Sequence, residues 1–270
     1  MLFCEDIHVH THLSTCACPE ADPKEYLKKA KDVGFDLIGF ADHMWDLNVY
    51  CYNNWYLDQG YENVSKLRDE LSGFTVPDVK YLFGCEVEYD PREHDIALTE
   101  EVAKKFDFII VPNSHTHMML PPEIDKNNLK AHSDFMMRAF FDIIRSPRAK
   151  YVTSVAHPFM AVGSVHQQEL VAQYSDAILH DCFSECAERH IALEINASLF
   201  RGIDGTSDEE YTSNEFYRFF SMAKECGCKF TYGGDRHTAV NYRRSKKADR
   251  FAELMGLTED DVVYLKNKKK

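Results

Sequence analysis

The feature that most constrains this chain is an alternation. Seven short apolar runs, at about residues 3–10, 37–43, 80–89, 106–115, 152–158, 192–198 and 229–237, are separated by stretches of helical character. Each run is continuously apolar rather than alternating, as in Asp107-Phe108-Ile109-Ile110-Val111. That pattern suits strands covered on both faces, which is the situation in a parallel sheet. Parallel neighbours need long crossovers, and helices supply them. Asp22-Pro23-Lys24-Glu25 combines a cap, a first-turn proline and a capping-box glutamate, and its helix closes at Gly34. Thr212 with Glu215 predicts a second helix start, ending near Gly227, and further helical stretches fall at 61–72, 99–105, 129–145, 167–190 and 245–256. The chain has no linker-like or low-complexity segment, so residues 1–270 read as a single domain. Repetition without a Gly-rich phosphate loop favours a parallel α/β barrel over a doubly wound sheet.

Composition removes several classes of function. A membrane-spanning helix needs about 18 or more consecutive apolar residues, and the sequence contains no such run. Met1-Leu2-Phe3-Cys4-Glu5-Asp6 lacks the basic region of a secretory signal. The nine cysteines are odd in number and scattered, so reduced thiols and a cytoplasmic location are expected. Cys16-Ala17-Cys18 and Cys226-Gly227-Cys228 lack the C-x-x-C spacing of zinc knuckles and redox pairs. A formal net charge of −13 argues against an extended nucleic-acid surface. An acidic chain still binds an anionic substrate where divalent cations dominate locally. The loop at 44–60, rich in aromatics and following the second run, reads either as a lid or as a cluster packed over the barrel edge. The basic tail Lys266-Asn267-Lys268-Lys269-Lys270 reads as a frayed, solvated end.

The chemistry-bearing residues fall where the runs end. The first ends in Asp6-Ile7-His8-Val9-His10, and two histidines at i and i+2 on a strand share one face. The next ends are Asp42-His43, Glu86, His115, His157, Glu194-Ile195-Asn196 and Asp235-Arg236-His237. One such histidine is usually structural; recurrence at successive strand ends points to a site. Imidazole and carboxylate donors suit Zn²⁺, Mn²⁺ or Fe²⁺, and the donors outnumber the needs of a single ion.

These motifs, taken in order with Gly84-Cys85-Glu86, Ser114-His115, Ala156-His157-Pro158 and Gly233-Gly234-Asp235-Arg236-His237, resemble the PHP family of polymerase and histidinol phosphatase domains. The resemblance runs from residue 6 to residue 237. It implies a distorted (β/α)7, TIM-like barrel holding two or three divalent transition metals, and hydrolysis of a phosphate ester. His8, His10, Glu86 and Asp235 would hold a first metal. Glu86, as a bridge, would hold a second with His115 and His157. His43 and His237 would hold a third, joined by Cys16, which stands where relatives often carry His or Asp. His12 and His117 are not expected to ligate. Glu194-Ile195-Asn196-Ala197-Ser198-Leu199-Phe200-Arg201 is similar to a phosphate-binding stretch of histidinol-phosphate phosphatases, which makes Arg201 the expected phosphate clamp. Ala156-His157-Pro158-Phe159 departs from the Gly-His-x-Asp form of that group.

The implied mechanism uses hydroxide bridging the metals at Glu86, with metals and Arg201 neutralising the phosphoryl oxygens. Asp235, His237 or water would protonate the leaving group. The expected substrate is a small phosphomonoester. Two other readings compete with this one. An amidohydrolase also opens with H-x-H on a barrel strand, but those enzymes commonly bridge metals with a carbamylated lysine, whereas Glu86 stands here. A non-catalytic metal-binding domain of the same descent would be expected to have lost ligands, and this chain keeps nearly all of them.

Overall fold

The computed structural model describes residues 2–267. Seven strands form one sheet in which every pairing is parallel. They are β1 (Glu5–Val9), β2 (Leu37–Met44), β3 (Lys80–Val87), and, after a small antiparallel hairpin of β4 (Tyr89–Asp90) and β5 (Asp95–Ile96), β6 (Phe108–Pro112), β7 (Ser154–Ala156), β8 (Ala192–Asn196) and β9 (Phe230–Gly233). Their spatial order is β1-β2-β3-β6-β7-β8-β9, and each coincides with one of the seven apolar runs, β2 extending one residue past its run. The edges meet through a short contact: Val9 bridges Arg236, His10 N–H donates to the Arg236 carbonyl at 2.9 Å, and Asp235 N–H to the His8 carbonyl at 2.7 Å. The result is a seven-stranded barrel closed by only a few bonds, hence distorted.

A barrel this narrow is filled rather than hollow. Ile7, Leu37, Ala41, Phe108, Ile110 and Ala156 pack inside it with Leu265 from the C-terminal segment. The ring of Phe108 is admitted because residue 84 is glycine: a Cβ there would lie 2.3 Å from that ring. The larger core lies outside the sheet, between strands and helices. Glu5 fastens the C-terminal segment by accepting from the backbone N–H groups of Leu265 and Lys266 at 2.6 and 2.9 Å, and Lys266 also donates to Asp36. Lys266 is therefore tied down rather than frayed, while Lys268–Lys270 lie outside the described residues.

Helix positions match the sequence reading better than helix lengths do. The stretch 167–190 is two helices, Gln167–Val171 and Asp176–Glu188, because Ser175 caps the second. The stretch 61–72 is likewise divided, into Tyr61–Val64 and Lys66–Glu70. Asn214, not Thr212, caps the helix Glu215–Glu225; its side chain accepts from Phe216 N–H, and Thr212 ends a short preceding helix. An asparagine side chain two residues from the donor captured a role assigned to a threonine farther away. In the 44–60 loop, Trp45 and Tyr56 are buried, whereas Leu47, Tyr50 and Leu57 are exposed. The loop is anchored in the core and also reaches the strand ends, where the Trp55 ring meets the His43 ring edge-on at 5.4 Å.

Candidate metal centre

The strand ends converge on one buried cluster at the C-terminal face of the barrel, where barrel enzymes carry their sites. On β1 the pairing register with β2 shifts between Asp6 and Val9, and His8 with the following His10 turn inward, both fully buried. His8 Nδ1 lies 2.8 Å from Glu194 Oε2 and His10 Nδ1 lies 3.2 Å from Ser14 Oγ. A carboxylate only accepts, and the Ser14 hydroxyl already gives its proton to Asp42, so both Nδ1 atoms donate. The remaining ring nitrogens, the two Nε2 atoms, face each other at 3.0 Å. Two such nitrogens need positive charge between them. A proton on His8 is one solution: burial opposes it, but Glu194, Glu86 and Asp235 outweigh burial and raise that pKa well above the usual histidine value. Burial, with His237 and His43 nearby, pushes His10 the opposite way. A metal ion accepting both lone pairs is the other solution.

Glu86, at the end of β3 and fully buried, lies at the centre of five imidazoles. Its Oε2 is 3.5, 3.6 and 2.8 Å from nitrogens of His8, His10 and His43; its Oε1 is 3.0 and 3.7 Å from Nε2 of His157 and His115. Burial alone would raise this carboxyl, but the cationic field of His8, His115 and His43 holds it well below the ordinary range. The 2.8 Å approach of His43 Nδ1 to Glu86 Oε2 is misaligned for a hydrogen bond, and both atoms are buried without a hydrogen-bond partner among the described residues. Close, misaligned and unpaired polar atoms are what a group of cation ligands looks like, so these residues fit divalent metals. Asp235 Oδ1 completes one side, 3.4 Å from His10 and 3.8 Å from His8. Asp235 and His157 both adopt positive φ, of 49° and 28°, a conformation that costs free energy and is concentrated at functional sites.

Donor atoms approach closely enough to share an ion in four groups: His8, His10 and Asp235; His10, His43 and His237; His8, Glu86 and His157; and His43, Glu88 and His115. All eight expected imidazole and carboxylate residues are therefore brought together, though His10 rather than Cys16 completes the set with His43 and His237. Cys16 lies on the exposed rim beside that set. Partial burial would raise its thiol, but hydrogen bonds from His237 and His43 outweigh it and bring the pKa down to about 6. The non-ligand expectation matches the geometry of His12, which is exposed and paired with Glu70 at 3.2 Å, and His117 stands outside all four groups. Arg201 follows the turn Ala197–Phe200, exposed, and shares a groove of about 920 Å³ with Asp235, Arg236 and Arg243.

Sequence reasoning missed the residues that hold the ligands. Glu88 accepts from His115 Nδ1 and from the Tyr56 hydroxyl, both at 2.7 Å. Its i+2 spacing from Glu86 is the same signal that paired His8 with His10, so it was detectable. Ser114 Oγ lies 2.6 Å from His157 Nδ1, and Asp42 accepts from Thr11 and Ser14. Glu194 stood at a strand end without a role; it orients His8 and is admitted by Gly233, where a Cβ would lie 2.4 Å from its carboxylate carbon.

Fold and site together define a seven-stranded α/β barrel with a buried histidine–carboxylate centre suited to holding metal. The PHP domain model matches residues 6–198, and the chain belongs to the PHP domain family. A probable phosphatase of Thermoanaerobacter sp. (strain X514) is 24% identical over 98% of this chain and 96% of its own length. A probable phosphatase of Clostridium novyi (strain NT) is 22% identical over 100% of this chain and 93% of its own. The crystal structure of histidinol phosphate phosphatase from Lactococcus lactis subsp. lactis Il1403, complexed with zinc, L-histidinol and phosphate, superposes with a TM-score of 0.63. It is 19% identical and covers 94% of this chain and 93% of that one, a likeness that establishes the fold.

Proposed function

We propose that this protein is a metal-dependent phosphatase acting on a small phosphomonoester, with His8, His10, His43, Glu86, His115, His157, Asp235 and His237 as metal ligands and Cys16 at the margin of the third site. The observation that carries the reading is the set of imidazoles converging on Glu86, with Nδ1 of His8, His10 and His115 committed to an acceptor and Nε2 turned inward. Divalent ions bound there supply Lewis acidity and lower the pKa of a coordinated water towards neutrality. The chain's own residues do the rest. Glu194, Ser14, Ser114 and Glu88 fix the ring orientations. Glu86, fully buried and ionised, presents one oxygen towards His8, His10 and His43 and the other towards His115 and His157. Arg201, which lines the groove shared with Asp235, would hold the phosphoryl oxygens in a two-pronged contact. Asp235, His237 or water, at the open edge of the cluster, would deliver the proton to the leaving oxygen.

The nine free cysteines support a reducing, cytoplasmic setting. No helix among the described residues is long and apolar enough to cross a membrane. The test is a panel of phosphomonoesters, a phosphodiester and an amide, each assayed with Zn²⁺, Mn²⁺, Fe²⁺ and Mg²⁺. Hydrolysis of phosphomonoesters above the rest is expected; amide hydrolysis alone would transfer the protein to the amidohydrolase reading.

A further inference from the structure

The group formed by His8, His10 and Asp235 straddles the seam of the barrel: its histidines lie on and just after β1, and its carboxylate follows β9. Among the described residues, β1 and β9 share no regular ladder, only the Val9–Arg236 bridge and the backbone hydrogen bonds of His10 and Asp235. A seam with so few backbone bonds leaves the placement of Asp235 to side chains. Asp235 also needs holding, because its φ of 49° is costly for a residue with a Cβ.

Asp6 spans that seam. It is 1% exposed and stands two residues before His8. Its Oδ1 accepts from Gly234 N–H at 2.8 Å and from His8 N–H at 3.3 Å, and its Oδ2 accepts from the Tyr242 hydroxyl at 2.8 Å. One carboxylate thereby joins the residue before Asp235 to the strand that carries His8. The approach requires glycine: a Cβ on Gly234 would lie 2.4 Å from Asp6 Oδ2. Tyr242 is buried as well, its ring edge-on at 5.0 Å to Tyr26 of the helix Pro23–Val33. Lys29 of that helix donates to the Ala239 carbonyl at 2.8 Å. The segment after β9 is thus folded back on the helix after β1, and this fold presents the Tyr242 hydroxyl to Asp6. All three donors to Asp6 are neutral. Burying a carboxylate against neutral donors is costly, so its presence at the seam calls for a role beyond packing.

We propose that Asp6 is a positioning residue for the metal centre: clasped by Tyr242, its carboxylate fixes Gly234 so that the side chain of Asp235 reaches the same ion as His8 and His10. Both Asp6 oxygens are committed to donors, so it acts through Asp235 and not as a ligand. This rests on the metal-centre reading and adds to it a pair of residues, Asp6 and Tyr242, that lie 236 positions apart in the chain. Groups that orient metal ligands typically contribute about 10–100-fold to metal affinity.

The test is a double-mutant cycle read as metal affinity and not as activity, by competition between the whole chain and a chromogenic chelator for Zn²⁺. Asp6→Ala should weaken the affinity for one ion by about 10–100-fold, and Tyr242→Phe by a smaller factor in the same direction. In Asp235→Ala, which lacks the carboxylate being placed, Asp6→Ala should cost about threefold or less. A residue that merely supports the barrel would cost the same factor in both backgrounds. That result, or an affinity in Asp6→Ala within about threefold of the unmodified chain, would overturn the inference alone. If Asp6→Ala does not fold, Tyr242→Phe with and without Asp235→Ala supplies the same cycle. Equal factors in its two backgrounds, or no weakening in either, would count against the inference in the same way. A chain that binds no Zn²⁺ would overturn the metal-centre reading and this inference with it.

Discussion

Glu194→Gln tests how the orientation of His8 is set. The substitution keeps volume and changes one oxygen to an NH₂ group. One end of Glu194 accepts from His8 Nδ1 at 2.8 Å; the other accepts from His157 N–H at 3.2 Å and from the Asn196 amide at 2.6 Å. Both ends therefore face donors, and the new NH₂ group meets a donor whichever way it turns. Directed at the His157 and Asn196 side, it leaves buried donors unpaired, at about 1–3 kcal/mol each. Directed at His8, it drives that ring to the other tautomer, with the proton on Nε2, where it can no longer ligate. Loss of an orienting partner typically costs about 10–100-fold in metal affinity, equivalent to about 1.4–2.7 kcal/mol. Metal affinity measured by competition with a chromogenic chelator should fall by that factor, and excess metal should restore much of the activity. A folded Glu194→Gln protein with metal affinity within about threefold of the unmodified chain would refute the claim that Glu194 sets the His8 tautomer.

The purified protein should carry two or three transition-metal ions per chain by elemental analysis, and His8→Ala or Glu86→Ala should abolish hydrolysis. A protein that holds no metal and is not activated by any would defeat the reading. Cys16→Ser should lower the stoichiometry by about one ion if the thiolate joins His43 and His237, and Cys16→His should retain it; an unchanged metal content in Cys16→Ser would show that His10, His43 and His237 suffice. Arg201→Ala should lower kcat/KM for a phosphomonoester by about 10²-fold, roughly 3 kcal/mol, with metal content unchanged. Arg201→Lys should recover part of that, since an ammonium lacks the two-pronged fork; near-normal kinetics in Arg201→Ala would remove it from the site.

What the sequence by itself determined is the part of this protein written in local periodicity. Apolar runs covered on both faces marked all seven barrel strands, because burial on two sides leaves no polar alternation. The residues at their ends were legible as one site because parallel strands in a barrel all end on the same face. The i, i+2 spacing in His8-Val9-His10 and Asp235-Arg236-His237 disclosed side chains on one side of the chain. Tertiary structure alone decided the partnerships. Glu194 meets His8 across 186 residues and Ser114 meets His157 across 43, separations over which no local pattern carries information. The division of the 167–190 stretch, the choice of Asn214 over Thr212 as a cap, and the tethering of Lys266 to Glu5 and Asp36 were likewise settled by competition among neighbours in space. The same holds for the grouping of His10 with His43 and His237, which depends on how closely β1 and β9 approach at the seam of the barrel. Ligand identity is local chemistry, whereas ligand geometry is set by long-range hydrogen bonds that exist only once the barrel has closed.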